Sequence, residues 1–514
     1  MPQPSDPSRP IRSVAFVSLG CPKNLVDSER MLGLLAQDGL AITSDAADAD
    51  AVVINTCGFL EASKEESLRE IRHAVGLKQT GNVRRVIVAG CLDQRHKTKL
   101  LDDVPEIDRL VGVFDREHIV EAVRGRQNPR QEHGHYLGKY HDLSRELASG
   151  QTSPRPATGA GDADAPKPGT ARQTKHGRLP VFEDDRARFR LTPRHFAYLR
   201  MSEGCNQGCA FCTIPAIRGP MRSKPVEQIL AEARELAADG AVELNLIGQD
   251  TTSYGADIGF APGLAGLLRT LDRELRDVHW IRLMYAYPSC FTDDMIRAIA
   301  DAGRVVKYID MPLQHINDRL LTLMKRRVNR RQIETLLEKL RRWVPGISIR
   351  TTFIAGSPTE TPAEHEELVR FVRDFGFDMM GVFPYSPEPG TAMGRIAEQL
   401  SDAEKQRRLE ELMLAQQDVV FAKNARRVGA TVEVLIDRVE PETRAAARSK
   451  AKPMTCVARH AGQAPDIDSV VHLRATEAYA GQLLQATIVD YQHYDLVAET
   501  PKTPKRTQLA VVRR

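Results

Sequence analysis

Short apolar runs alternate with amphipathic stretches from residue 11 to residue 128. The runs Val14–Leu19, Ala51–Asn55 and Arg85–Ala89 are rich in Val and Ile, as buried parallel strands are. Between them, Leu25–Ala36 and Ser63–Val75 place apolar residues at helical spacing. Alternating strands and helices predict an α/β domain with a doubly wound parallel sheet, because each helix buries its apolar stripe against the sheet.

A second alternating section covers residues 191–424. Six strand patterns are separated by helical patterns, and six β-α units predict a partial (β/α)6 barrel with its chemistry at the carboxyl ends of the strands. The predicted strands are Phe196–Ser202, Val242–Ile247, Ile281–Ala286, Val305–Asp310, Ile347–Ile354 and Met379–Tyr385. Predicted helices include Pro225–Ala238, Asp318–Lys325 and Pro362–Phe375.

The two alternating sections are separated by residues 133–190, which are dense in Pro, Gly, Ala, Ser and Thr. Such a stretch buries too little surface to offset its chain entropy, which predicts a flexible linker or insertion. A charged helix at Ser401–Arg427 leads to residues 425–498, where short strand patterns predict a small antiparallel β-barrel before a tail at 499–514. These strands are Thr431–Ile436, Val470–Leu473, Leu483–Ile488 and Leu496–Ala498.

Composition narrows the class of protein. The 514 residues carry 72 Lys and Arg against 68 Asp and Glu, a formal charge of +4, which excludes nucleic-acid binding by overall basicity alone. The mean hydropathy is −0.36 and no apolar run approaches 18 residues, which excludes a membrane span. No apolar signal segment follows the first Met, so we expect a cytoplasmic protein, where cysteines serve more often as metal ligands or catalysts than in disulfides.

Three of the eight cysteines follow predicted strands of the first section. Cys21, Cys57 and Cys91 each come directly after a strand, so all three should emerge at the carboxyl edge of the sheet, where open α/β sheets bind ligands. Neighbouring glycines at positions 20, 58 and 90 would let the backbone approach a bulky group closely. The alternative is that three buried thiols share this edge by chance.

A second trio, Cys205, Cys209 and Cys212, has the spacing C-x3-C-x2-C after the first strand of the second section. A loop this short can direct three thiolates at one iron–sulfur cube, and without a fourth cysteine or histidine nearby one iron would stay open to another ligand. Structural zinc, which takes four closed ligands, is the alternative, and a disulfide is disfavoured in a reducing compartment. Cys290 and Cys456 stand alone and are interpreted as buried small hydrophobes.

The string CNQGCAFC at 205–212, with its aromatic Phe211, resembles the signature of radical S-adenosylmethionine (SAM) enzymes. The resemblance implies a 4Fe-4S cluster whose open iron binds SAM, and a partial barrel fold. The whole chain is similar to the methylthiotransferases, which join a three-cysteine domain, a radical SAM core and a TRAM barrel. In that family Cys21, Cys57 and Cys91 would hold a second 4Fe-4S cluster that carries the inserted sulfur.

The string SLGCPKN at 18–24 differs from the T-x-G-C-Q-M-N pattern of the tRNA adenosine methylthiotransferases. It resembles the branch that modifies an aspartate of small-subunit ribosomal protein S-twelve, which implies methylthiolation of the aspartate β-carbon with one SAM as radical source and another as methyl donor. That branch also implies a one-electron reductant, a sulfur donor and a TRAM-like barrel able to contact RNA. The other matching strings are NTCGF at 55–59, QDT at 249–251, YIDMPLQH at 308–315, LMKR at 323–326 and YSPEPGT at 385–391.

The remaining site predictions concern SAM. The family pattern G-x-P-G-E-T appears as GSPTET at 356–361, so Gly356 and Pro358 are expected near SAM while Thr359 replaces a glycine. Gln249 and Asp250 either contact SAM or substrate or cap a loop. We expect mainly structural roles for the other candidate side chains. Arg282 and Tyr285 either line the pocket or fill the barrel, and His315 is expected to be a satisfied polar residue. A solvated helix face is predicted for Lys325, Arg326 and Arg327.

Two other functions remain open at this point. A tRNA adenosine methylthiotransferase would share every cysteine described above, and only the string around Cys21 argues against it. A noncatalytic RNA-binding protein would use iron or zinc for structure alone.

Overall fold

The computed structural model describes residues 10–125, 173–174, 177–178, 184–440, 454–475 and 477–501. These residues form a five-stranded sheet, a six-stranded sheet and a closed barrel, in chain order. The α/β class and its three predicted architectures are thereby confirmed. Most of the predicted insertion and the tail from residue 502 lie outside the described residues. No helix in the described part of the chain is long and apolar enough to cross a membrane.

The N-terminal sheet is parallel throughout, with the strand order β2-β1-β3-β4-β5. An apolar cluster covers each face, as a doubly wound sheet requires. The sequence prediction missed the short strands β2 and β5. The strands are β1 Ser13–Ser18, β2 Ala41–Thr43, β3 Ala51–Thr56, β4 Arg85–Gly90 and β5 Arg109–Gly112; the helices are α1 Pro22–Gln37, α2 Glu61–Thr80, α3 Cys91–His96, α4 Leu100–Asp103 and α5 Ile119–Arg124.

The central sheet is also parallel, and its six strands follow one another in the order β8-β11-β12-β13-β14-β15, which is an open partial barrel. All six predicted strands are present. Before this sheet in the chain, β6 Gln173–Thr174 pairs with β7 Gly177–Arg178. Between β8 and β11, β9 Ser202–Glu203 pairs with β10 Arg222–Ser223. The six strands are β8 Phe196–Arg200, β11 Glu243–Ile247, β12 Trp280–Leu283, β13 Val305–Asp310, β14 Ser348–Ala355 and β15 Met379–Pro384.

The helices of the central domain cover one face of this sheet in a large apolar cluster. Local sequence fixes their ends: Thr361 caps α12 by accepting a hydrogen bond from the Glu364 amide, and Glu364 accepts one from the Thr361 amide. The helices are α6 Ile214–Arg218, α7 Val226–Ala238, α8 Gly263–Glu274, α9 Asp293–Asp301, α10 Asp318–Leu323, α11 Arg330–Trp343, α12 Pro362–Phe375 and α13 Asp402–Arg427.

The C-terminal unit is a closed five-stranded barrel in the order β16-β17-β18-β20-β19. It is not purely antiparallel as predicted, because β18 and β20 pair in parallel. The prediction also missed β17, whose sequence MTCVARH lacks a clear alternation of apolar and polar residues. The strands are β16 Thr431–Val439, β17 Met454–His460, β18 Val471–Ala475, β19 Leu483–Gln492 and β20 Asp495–Glu499.

A loop of this barrel, residues 464–468, packs against the face of the central sheet opposite its helices. The Tyr198 hydroxyl donates a hydrogen bond of 3.2 Å to Asp466, and the Tyr308 hydroxyl donates one of 2.8 Å to Asp468. Arg350 Nε also donates to Asp468, at 3.2 Å. The C-terminal barrel therefore covers part of the face of the central sheet that lies opposite its helices.

Candidate active site

The first cysteine trio lies at the carboxyl edge of the N-terminal sheet. Cys21 precedes α1, Cys57 follows β3 and Cys91 begins α3, and β1, β3 and β4 are adjacent strands. A side chain on Gly20, which has φ +88°, would place its Cβ 2.8 Å from Cys57 Cβ. Glycine is therefore needed at position 20 because the Cys57 side chain lies against its backbone.

The first trio is buried to different degrees, and Arg218 of α6 faces it. Burial raises the pKa of Cys91 to about 12, the nearby Arg218 opposes this shift, and Cys21 and Cys57 add to it. Arg218 Nη2 donates to Cys91 Sγ at 3.3 Å. Burial likewise raises the pKa of Cys57. The three thiols are thus close enough to interact, and burial favours the neutral form of Cys57 and Cys91.

The second trio lies in the loop between β9 and α6, beyond the carboxyl end of β8. The Cys205 amide donates to the Gly219 carbonyl at 3.2 Å, and the Cys212 amide donates to the Cys209 carbonyl at 3.1 Å. Burial raises the pKa of Cys205 to about 11 and that of Cys212 to about 12. The loop is therefore fixed by the backbone, and its thiols lie in a poorly solvated environment.

Cys209 is contacted by two side chains from other parts of the barrel. Arg326 Nη1 donates to Cys209 Sγ at 3.6 Å, and the Tyr287 hydroxyl lies 3.7 Å from the same sulfur. The Arg326 guanidinium also lies 4.0 Å from the centroid of the Tyr287 ring. The predicted solvated face is wrong for Arg326, which is 6 % exposed, because its charge faces the cysteine loop; Lys325 and Arg327 are exposed as predicted.

One short segment contacts the second trio and a lysine close to the first trio. Tyr287 contacts Cys209, and two residues earlier the Tyr285 ring lies beneath Lys23, with Nζ 2.9 Å from the ring centroid. Lys23 follows Cys21 by two residues, and burial lowers its pKa to about 8. Because residues two apart in a chain are separated by at most about 7 Å, this segment connects the surroundings of the two trios, and the region beside it is called the shared space.

A buried ion-pair network joins the two domains beside this space. Asp27 of α1 pairs with Arg116, Arg200 and Arg218, at 2.6 Å for Arg200 and 3.0 Å for Arg218. Asp185 pairs with Arg200 at 2.5 Å and with Lys224 and Arg116 at 3.0 Å. Burial alone would raise the pKa of Asp185, but Arg200, Lys224 and Arg116 hold it well below its usual range.

Asp185 belongs to residues 184–190, the end of the predicted insertion, and these residues are packed. The Phe189 amide donates to the Glu29 carbonyl at 3.0 Å, and the Ala187 amide donates to Glu235 Oε1 at 2.6 Å. This segment therefore bridges α1 of the first domain and α7 of the second.

Three family models match the chain, one for each unit of the fold. The model of the uncharacterized protein family UPF0004 matches residues 13–112, that of the radical SAM superfamily matches residues 199–372, and that of the TRAM domain matches residues 428–500.

Curated relatives match almost the whole chain. The ribosomal protein uS12 methylthiotransferase RimO of Trichlorobacter lovleyi is 38% identical over 490 residues, covering 95% of this chain and 98% of that protein. The RimO proteins of Anaeromyxobacter sp. strain K and Myxococcus xanthus are 39% and 37% identical, covering 93% and 97% of this chain and 91% and 93% of their own lengths. The chain belongs to the RimO methylthiotransferase family. It is a radical SAM methylthiotransferase.

The comparison with solved structures gives weaker similarities. The radical SAM methyltransferase TsrM from Kitasatospora setae, solved with cobalamin and a 4Fe-4S cluster, is 16% identical with a TM-score of 0.47, covering 75% of this chain and 77% of that one. A similarity at this level carries no information on substrate.

The cysteine trios supply the thiol donors that 4Fe-4S clusters take, and their role as cluster ligands stays a prediction. In the described part of this RimO-family chain no three His, Cys, Asp or Glu side chains are arranged around a single metal ion, and all eight cysteines are free thiols. Cluster cysteines bind different irons, so they spread more widely than the ligands of one ion. Because a bound metal deprotonates a coordinating thiol, the raised pKa values of the buried thiols do not exclude this use.

Three of the residues predicted to bind SAM lie in or beside the loop of the second trio, where each has structural partners. Asp250 accepts hydrogen bonds from Gln207 Nε2 at 2.6 Å and from the Thr252 amide at 3.0 Å, which caps its loop. Gln249 Nε2 donates to Glu203 at 2.5 Å. Phe211 is half-buried in an apolar cluster of the barrel. Their contact with SAM stays a prediction.

The predicted GSPTET string lies after β14. Gly356 has φ +73°, and a Cβ there would lie 2.5 Å from Lys405 Cγ of α13, so this glycine permits helix packing. Pro358 is buried. Thr359 has φ +62°, and Arg319 donates to its carbonyl oxygen at 2.8 Å.

Four other assignments can be compared with the structure. Arg282 fills the barrel, donating to Glu243 at 2.9 Å and to the Ala461 carbonyl at 2.8 Å. His315 is buried and accepts a hydrogen bond from the Asn317 amide at 3.0 Å. Cys456 is fully buried, whereas Cys290 is only half-buried, and Gln207 Nε2 donates to it at 3.5 Å.

Sequence reasoning missed Lys23, Arg218 and Arg326 as site residues. Charged side chains are mostly solvated, so their burial against cysteines follows only from the packing of the two domains. The available signal was their position, since Lys23 and Arg218 lie two and six residues from a trio cysteine.

Proposed function

We propose that this chain methylthiolates the β-carbon of an aspartate in ribosomal protein uS12, the S-twelve protein considered above, with two 4Fe-4S clusters and two molecules of SAM. The observation that carries the proposal is the segment Tyr285–Tyr287, in which Tyr287 contacts Cys209 of the second trio and Tyr285 contacts Lys23, two residues from Cys21 of the first trio. A shared space lets one bound substrate reach both trios. The names of the curated relatives supply the substrate protein.

We assign one 4Fe-4S cluster to each cysteine trio. Cys205, Cys209 and Cys212 would hold the cluster that binds SAM, and Cys21, Cys57 and Cys91 would hold the second cluster. When bound, these groups supply the reductive cleavage of SAM that removes hydrogen from the substrate carbon, and the sulfur and methyl group that replace it.

The protein's own residues position the two cysteine trios relative to each other. Arg218 and Arg326 each donate a hydrogen bond to one trio, which places a fixed positive charge beside each sulfur site. The Asp27 and Asp185 network fixes the N-terminal sheet against the central sheet. Because a small displacement between reacting groups is costly in rate, this rigidity is part of the catalytic arrangement.

The partners follow from this reaction. The enzyme needs a one-electron reductant for its clusters and a sulfur donor, and uS12 is offered either free or within the ribosome. In the ribosome, the TRAM barrel would contact RNA. Since the proposed substrate is a ribosomal protein, we place the enzyme in the cytoplasm.

Product analysis tests this function. The anaerobically reconstituted protein is offered uS12 and tRNA separately, with SAM, reductant and sulfide, and each product is examined by mass spectrometry. We expect a methylthio group on one aspartate of uS12 and none on tRNA. Modified tRNA beside unmodified uS12 would instead identify a tRNA enzyme.

Iron analysis tests the two clusters. We expect about eight irons per chain in the wild-type protein and about four after replacement of either trio by alanine, since each trio holds four irons. Each alanine variant should also lose methylthiolation, while a Cys456→Ala variant should keep both properties because Cys456 lies inside the C-terminal barrel. One zinc and no visible absorbance would overturn the cluster assignment.

A further inference from the structure

Lys23 is a buried cation at the shared space between the trios. It lies in the first turn of α1, is 5 % exposed, and directs its ammonium group at the face of the Tyr285 ring, 2.9 Å from the centroid. Tyr285 belongs to the central barrel, so Lys23 reaches from the first domain into the second.

Cys21, two residues away, and the carboxylates of Asp310 and Glu203 favour the charged form of Lys23, in that order. Both carboxylates are already engaged by other donors. Asp310 accepts from Arg350 Nη1 at 2.7 Å and from the Tyr285 amide at 3.1 Å. Glu203 accepts from Arg200 Nη1 at 2.7 Å and from Arg218 Nη1 at 3.1 Å. Within the described ranges Lys23 Nζ has neither an ion-pair partner nor a hydrogen-bond acceptor.

A buried ammonium without an anion is costly, because the ring beneath it replaces only part of the lost hydration. Arg218, Arg200 and Arg350 in the same region all have carboxylate partners. The exception therefore calls for an anion that arrives with a ligand. This anion would bind in the shared space, at the ammonium group of Lys23.

We infer that Lys23 binds the side-chain carboxylate of the substrate aspartate and is a specificity-determining residue; this inference rests on the proposed function. The carboxylate carbon of aspartate is bonded to the β-carbon. An ion pair at Lys23 therefore fixes the carboxylate to which the reacting carbon is directly bonded. Neither the side chain of an asparagine nor the uncharged nucleobase of an adenosine offers a negative charge for this ion pair.

A binding experiment isolates this contact from turnover. Mass spectrometry first identifies the aspartate that the enzyme modifies. Two fluorescent uS12 peptides, one with unmodified aspartate and one with asparagine at that position, are then titrated into the reconstituted enzyme without reductant. We expect the wild-type protein to bind the aspartate peptide at least about tenfold more tightly, as for a charged hydrogen bond in a buried site. In Lys23→Met the ratio should fall to about one.

Two further variants complete the design. Lys23→Arg keeps the positive charge and should retain more discrimination than Lys23→Met. Lys64→Met removes a lysine from the surface of the same domain, where Lys64 pairs only with the exposed Glu61, and should keep the wild-type ratio. Iron content and SAM affinity are measured for every variant.

The outcomes separate the inference from the function on which it rests. Lost discrimination in Lys23→Met with about eight irons and unchanged SAM affinity supports carboxylate recognition. An unchanged aspartate-to-asparagine ratio overturns it, as does a fall to about four irons, which would make Lys23 a partner of the first trio's cluster. If the wild-type enzyme modifies no aspartate of uS12, the proposed function itself fails.

Discussion

Thr359 has a backbone conformation that β-branched residues rarely adopt. Its φ is +62°, in the left-handed region that favours glycine, and it stands at the glycine position of the pattern G-x-P-G-E-T that the string at 356–361 resembles. Its amide donates to the Glu398 carbonyl at 3.2 Å, and Arg319 donates to its carbonyl oxygen and hydroxyl, so both neighbours hold the strained turn in place.

Thr359→Gly should therefore stabilise the protein. Relief of the left-handed strain is worth about 1 kcal/mol, less the added chain entropy of glycine. We expect a higher urea midpoint and Tm for this variant. The matched change Thr361→Gly removes a helix cap at an ordinary φ of −79° and should lower both, so equal effects of the two variants would exclude strain at Thr359.

The segment 184–190 and helix α1 act together as the joint between the two sheets. Asp185 is fully buried and neutralises part of the charge of three cations from three different segments. Such a network specifies one relative position of the domains, because each charge left unpaired in the interior would be costly.

Asp185→Asn should destabilise the protein by about 3–5 kcal/mol, because the Arg and Lys groups around it remain buried without their counter-charge. Urea unfolding followed by circular dichroism measures the loss. Glu61→Gln breaks only the exposed pair with Lys64 and should change stability by less than about 0.5 kcal/mol. Similar losses in the two variants would contradict a special role of the buried network.

The same network predicts how stability depends on acid. The folded pKa of Asp185 lies well below its unfolded value of 3.8, so its stabilising effect is complete above that pH and is lost as the pH falls through the folded pKa. The wild-type protein should lose stability steeply below about pH 4, and Asp185→Asn should lose it less steeply. Parallel acid curves for the two proteins would refute this assignment.

Sequence patterns predicted the elements well where burial dominates and poorly where it does not. The six strands of the central sheet and the helix Pro362–Phe375 have strong apolar periodicity or clear caps. The strands β2 and β5 have three and four residues, too few to show a period. The cysteine positions could be predicted because parallel strands end at one edge, whereas Lys23 and Arg326 required knowledge of which segments pack together.

At the scale of the whole molecule, the C-terminal barrel is joined to the central sheet by buried polar contacts. Asp468 accepts hydrogen bonds from Tyr308, Arg350 and the Ala464 amide, so it links the barrel loop to two strands of the central sheet. The ion pair between Arg459 and Glu243, at 2.7 Å, adds a third strand to this contact.

Asp468→Ala should lower stability by about 2 kcal/mol or more, because it leaves buried donors of the central sheet without an acceptor. Chemical unfolding monitored by circular dichroism should show the two units unfolding in one transition in the wild-type protein and at a lower midpoint in the variant. Asp490→Ala, on the exposed side of the barrel, is the control. A variant that unfolds like the wild type would show that the loop is not coupled to the sheet.

The order of these units along the chain has a consequence for synthesis. A ribosome makes the N-terminal and central sheets before residues 464–468 exist, so at that stage the inner face of the central sheet has no cover and Tyr308 and Arg350 lack Asp468 as an acceptor. The barrel loop must therefore dock onto a sheet that has already been made. A nonsense mutation just before codon 464 would yield a chain that contains all six trio cysteines but leaves the inner face of its central sheet uncovered.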